Sequence, residues 1–130
     1  MDRPDRPRPD RPRPDGPRPD RRLVGMVGEG LAAEWYRARG FEVLDRNWRC
    51  GAGEIDLVCR RGDLLVICEV KSRSTGTFGA PVEAVTLAKR RRLRRLGVRW
   101  LAAHRVRCAR VRFDVVSVLG DRVSVVEDAF

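Results

Sequence analysis

A net charge of +10 over 130 residues, 28 of them Lys or Arg, points this chain toward a polyanionic partner. The length suits one domain with a real core, and no run approaches the roughly 18 consecutive apolar residues of a membrane span. The charged, proline-rich start lacks an apolar signal region, and Cys50, Cys59, Cys68 and Cys108 form no CxxC pair. Secretion and a structural zinc are therefore disfavoured, and small buried thiols in a reducing cytoplasm are expected. His104 is the only histidine and lies in a basic, loop-like segment, a poor basis for histidine-dependent catalysis.

Residues 1–22 read MDRPD RPRPD RPRPD GPRPD RR, a degenerate pentad repeat holding seven of the eight prolines. With no apolar residue between Met1 and Leu23, this segment is expected to be a disordered arm. Its eight arginines and five aspartates leave +3, enough for non-specific attraction to nucleic acid. The plainer reading is a dispensable extension, with Met26 available as another start. The ordered domain is expected to span 23–130.

Residues 25–39 (GMVGEGLAAEWYRAR) suit a helix with Met26, Leu31, Ala32 and Trp35 on its apolar face and Gly40 as its stop. FEVLDRNWR (41–49) alternates as a strand. EIDLVCR (54–60) and LLVICEVK (64–71) predict a hairpin around Gly62-Asp63. A second helix follows over 82–103, after Pro81, and a second hairpin joins 111–119 to 122–126 around Gly120-Asp121. The order α-β-β-β-α-β-β predicts an α/β fold: a mixed sheet flanked by helices.

The first hairpin ends on charge. If Gly62-Asp63 is the loop, Arg61 pairs with Leu64 and Asp56 stands opposite Glu69; a loop shifted by one residue sets Asp56 opposite Ile67, diagonal to Glu69. Either way two carboxylates crowd one face with Lys71, because strand side chains alternate. Like charges so placed repel unless neutralised, and Mg²⁺ favours one or two carboxylates plus waters and a phosphate. The alternative is a pair of strand-end residues, each bound to a nearby arginine.

On the second helix Val85, Lys89, Leu93, Leu96 and Trp100 fall near one stripe. Lys89 either snorkels to the edge of that stripe or reaches the carboxylate site. From Ala84 to Phe113 there are eleven Lys or Arg and no acidic residue. A solvated face is the ordinary meaning of such a run. Like charges at i,i+4 repel, however, and an unrelieved basic run suits a phosphate backbone, with Lys89, Arg91, Arg92, Arg94, Arg95 and Arg99 as contacts.

"VGEGLAAEWYRARGFEVLDRNWR", "GEIDLV", "VICEVKSR", "FGAPVEAVTLAKRRRL" and "RFDVVSV", in that order, resemble the YraN family of uncharacterised bacterial proteins. The resemblance spans roughly residues 24–119 and implies a restriction-endonuclease-like core of the PD-(D/E)xK superfamily, near the archaeal Holliday-junction resolvases. It implies a metal-dependent endonuclease acting on DNA, including branched or structured DNA, with Mg²⁺ or Mn²⁺ as cofactor. Carried over, Asp56 and Glu69 become metal ligands with the Val70 carbonyl as a third oxygen donor. Lys71 orients or activates the attacking water, and Glu29 completes the metal shell. Residue type alone reads Glu29 equally well as a first-turn glutamate favoured by the helix dipole. Arg112, with Asp114, takes a supporting role beside DNA. Homodimerisation is expected by analogy with resolvase-like relatives, which must cut two strands. The other reading is a nucleic-acid-binding protein that keeps the fold without useful turnover.

Overall fold

The computed structural model describes residues 21–73 and 85–130. The pentad repeat over 1–20, and residues 82–84 at the expected start of the second helix, lie outside the described residues. Seven elements follow one another: α1 (Arg21–Arg37), β1 (Glu42–Cys50), β2 (Gly53–Arg61), β3 (Leu64–Arg73), α2 (Leu87–His104), β4 (Arg110–Leu119) and β5 (Arg122–Val126). This is the order read from the sequence. The five strands form one sheet in the order β1-β2-β3-β4-β5. All neighbours are antiparallel except β3 and β4, which run parallel from Leu64↔Arg110 to Arg73↔Leu119. A parallel pair needs a long crossover, and α2 lies within it.

Each helix covers one face of the sheet. Ala32, Ala33 and Tyr36 of α1 pack with Leu57, Cys59, Val66, Cys68, Val116 and Val118. Leu93, Leu96 and Trp100 of α2 pack with Val58, Leu65, Ile67 and Phe113. Strand β3 is thus buried on both faces, which is why Leu64–Cys68 is continuously apolar rather than alternating. Both helices approach closely where a glycine leaves room. A Cβ on Gly28 of α1 would overlap Ser72 Oγ, and one on Gly97 of α2 would sit 2.7 Å from Ile67 Cδ1.

Local chemistry sets the boundaries. The Phe41 N–H bonds to the Tyr36 carbonyl and the Gly40 N–H to the Arg37 carbonyl, each at 3.0 Å, with Gly40 at φ +85°. That is a Schellman end, sealed by the Tyr36 and Phe41 rings with centroids 5.3 Å apart. Helix α2 begins at Leu87, later than expected, because the Thr86 hydroxyl accepts the Lys89 N–H at 3.2 Å and caps the first turn. Gly62 and Gly120 take φ of +60° and +61° as the first residues of the two expected hairpin turns. The pairs flanking those turns are Arg61↔Leu64 and Leu119↔Arg122.

The face of α1 differs from the expected one. Met26 is 61% exposed, Leu31 and Trp35 are only partly buried, and Ala33 and Tyr36 take inward places beside Ala32. Tyr36 can face the core because its hydroxyl donates to Asp114 Oδ2 at 2.6 Å. Asp114, 1% exposed, also accepts two bonds from Arg112, at 2.9 and 3.0 Å, and the Asp128 N–H at 3.0 Å. A buried carboxylate with that many donors is satisfied.

Candidate functional site

Asp56 marks a break in the sheet. The β2–β3 ladder runs from Arg61↔Leu64 to Leu57↔Cys68, and its next step sets Asp56 opposite Glu69. Regular pairing stops short of that step, and the Asp56 carboxylate accepts the Val70 N–H at 2.8 Å. In an extended strand a residue's N–H and C=O leave on the same side, so the Val70 carbonyl also faces β2. On the other side Arg46↔Leu57 and Trp48↔Ile55 set Asn47 opposite Asp56, and Asn47 sits at φ +53°. Regular pairing is interrupted on both flanks of one carboxylate.

Two groups of side chains meet at this break. Oxygens of Glu29 from α1 and of Glu54 and Asp56 from β2 lie within 4.8 Å of one another. Glu69, only 7% exposed, faces the α2 side, where its Oε2 is 2.7 Å from Lys89 Nζ and 3.1 Å from Lys71 Nζ. A buried carboxylate needs such partners. Of the expected site residues, the structure gathers Glu29 with Asp56, and Glu69 with Lys71 and Lys89.

Glu54 was missed in the sequence. The signal was present in "GEID": two residues before Asp56 on the same strand, alternation directs both to one side. What hid it was its resemblance to an ordinary solvent-facing strand glutamate, and it does contact exposed Arg49 at 3.6 Å.

The crowding shows in the electrostatics. Burial first, then the charge of Glu69, lifts the Asp56 carboxyl to about 7; Glu29 and Glu54 add to this and the Val70 N–H opposes it. Burial, reinforced by the neighbouring Lys89, holds the Lys71 ammonium below its usual range. For Lys89 burial pulls the same way, but hydrogen bonding to Glu69 and its charge prevail and raise it.

Helix α2 continues away from this cluster as a basic face. Arg91, Arg92, Arg94, Arg95 and Arg99 are exposed. Arg92 Cδ lies 3.3 Å from where a Cβ on Gly53 would stand, beside Glu54. Arg94 lies over the Phe113 and Phe130 rings, 5.2 and 5.6 Å from their centroids. Arg112 is drawn inward to Asp114 and Glu127. No helix is long and apolar enough to cross a membrane among the described residues.

A mixed five-stranded sheet between two helices, in the order α-β-β-β-α-β-β, makes this an α/β protein whose acidic residues gather where pairing around Asp56 lapses. The model of Uncharacterised protein family UPF0102 matches residues 28–118. A UPF0102 protein of Beutenbergia cavernae is 54% identical over 99 residues, covering 76% of this chain and 84% of that one. One from Kineococcus radiotolerans is 55% identical over 96 residues, covering 73% and 79%. One from a Parafrankia species is 52% identical over 99 residues, covering 76% and 84%. The chain belongs to the UPF0102 family, also called YraN.

Proposed function

We propose that the protein is a metal-dependent endonuclease that hydrolyses phosphodiester bonds of DNA. The observation that carries this reading is the gathering of Glu29, Glu54 and Asp56 oxygens within 4.8 Å, beside the ammonium groups of Lys71 and Lys89. An octahedral Mg²⁺ with oxygens at about 2.1 Å sets its ligands roughly 3–4 Å apart, so small side-chain rotations bring the set into range. A carboxyl lifted to about 7 by burial and then by neighbouring carboxylates is also what an acidic site looks like before a cation neutralises it.

In this reading Glu29, Glu54 and Asp56 hold Mg²⁺ or Mn²⁺, with Glu69 and the Val70 carbonyl at the margin. Bound there, the ion supplies Lewis-acid polarisation of a phosphate oxygen and an acidified water. The chain's own groups do the rest. Lys71 and Lys89 present positive charge where the phosphate gains negative charge. The Val70 N–H fixes the Asp56 carboxylate. The exposed arginines of α2 hold the DNA backbone without reading its sequence, since phosphate contacts position rather than specify.

One observation favours a second reading, a nucleic-acid-binding protein without useful turnover: both lysines are engaged with Glu69. The deciding experiment incubates duplex, single-stranded, flap and four-way-junction DNA with wild type, Asp56→Asn or Lys71→Ala in Mg²⁺, Mn²⁺ or EDTA. Cleavage by wild type in metal alone, abolished in both variants, supports the nuclease. Binding without cleavage in every metal supports the second reading.

A further inference from the structure

We infer that Asn47 is a positioning residue that aims Glu29 at the metal site. The inference rests on the metal reading above and concerns a residue to which the motifs gave no role. Two independent observations carry it. Asn47 Nδ2 donates to Glu29 Oε1 at 2.7 Å across 18 residues of sequence, joining β1 to α1. Asn47 also holds φ +53° in mid-strand, between the paired residues Arg46 and Trp48.

The two observations belong together. Left-handed backbone in a strand is unfavourable for any side chain, though asparagine tolerates it better than most. Glycine would adopt it with no steric penalty, yet a side-chain amide stands there. Persistence of strain next to a functional site, at the position facing Asp56, indicates that the amide does something glycine cannot. An amide donor occupying one oxygen of Glu29 fixes the carboxylate's rotation and leaves the other oxygen available. Partners of ligating carboxylates commonly act this way, and removing them weakens metal binding.

The test separates the amide from the backbone. Asn47→Gly removes the amide and relieves the strain; Asn47→Ala removes the amide and keeps the strain. MnCl₂ is titrated calorimetrically into wild type and both variants at pH 8, with metal-free melting temperatures measured alongside. A positioning role predicts Mn²⁺ affinity weakened roughly tenfold to a hundredfold in both variants. The metal-free melting temperature should hold or rise for Asn47→Gly and fall for Asn47→Ala. Wild-type affinity in Asn47→Gly overturns the proposal while leaving the metal site standing. Affinity that follows stability, lost in Asn47→Ala alone, also overturns it and marks Asn47 as structural. A wild type that takes up no Mn²⁺ brings down the metal reading and this role together.

Discussion

Asp56 concentrates the physics of this molecule in one carboxyl group. Its pKa is raised from the ordinary 3.8 to about 7, so between those values the folded chain keeps a proton that the unfolded chain has lost. Stability therefore falls as pH rises through that window and levels off above it. The cost is on the order of 4 kcal/mol at its fullest, by the conversion of pKa shift into free energy. Asp56→Asn should abolish this component: metal-free, it should match wild type near pH 4 and exceed it in denaturant stability at pH 8. A variant less stable than wild type at pH 8 would show that Asp56 is a structural partner instead. Tyr36 gives a second prediction at this scale. Burial pushes its phenol far above the usual range, so it stays neutral and donates to Asp114. Tyr36→Phe should cost about 1.5–3 kcal/mol, the value of a hydrogen bond to a charged group, in chemical denaturation. No loss would mean that Arg112 and the Asp128 N–H satisfy Asp114 alone.

At the scale of elements, α2 does two jobs with two faces. Leu93, Leu96 and Trp100 bind it to the sheet and Lys89 reaches Glu69, while the exposed arginines are the ones that the proposed function sets against a phosphate backbone. Reversing Arg91, Arg95 and Arg99 to Glu should weaken DNA binding and lower the slope of log affinity against log salt by about three. The fold should be little changed, and an unchanged slope would remove α2 from the interface. Arg94 is better left intact, since it lies over Phe113 and Phe130. The hairpins were the most legible elements. Glycine-first turns and the rule of alternation located Gly62-Asp63 and fixed Arg61 against Leu64, as the ladder bears out as far as Leu57↔Cys68, one step short of Asp56 and Glu69. Strand patterns are strict, so a turn fixes everything beyond it. The face of α1 was less legible. Its small alanines tolerate several rotations, and the one adopted is decided by a distant acceptor, Asp114, that helical periodicity cannot reveal. The left-handed turn at Asn47 was invisible for a similar reason: Asn is unremarkable in a strand pattern until its backbone is seen.

For the molecule as a whole, the acidic cluster is a local exception in a chain of net charge +10. In the proposed reading the basic surface attracts a polyanion from a distance, and the carboxylates around Asp56 give a divalent cation somewhere to sit beside it. Four elements meet there, α1 through Glu29, β2 through Glu54 and Asp56, β3 through Glu69 and Lys71, and α2 through Lys89. A cation binding these groups in the folded state alone must stabilise the fold, by about 2.7 kcal/mol at a hundred times its Kd. It must also compete with the proton on Asp56, so the stabilisation should be larger at pH 8 than at pH 6. The measurement that tests this most directly is thermal unfolding of wild type and Asp56→Asn at pH 8, in EDTA and in excess Mn²⁺. If these carboxylates hold the ion, Mn²⁺ should raise the melting temperature of wild type and not of Asp56→Asn, and in EDTA the variant should be at least as stable. No response of wild type to Mn²⁺, together with a variant that melts earlier in EDTA, would contradict that assignment.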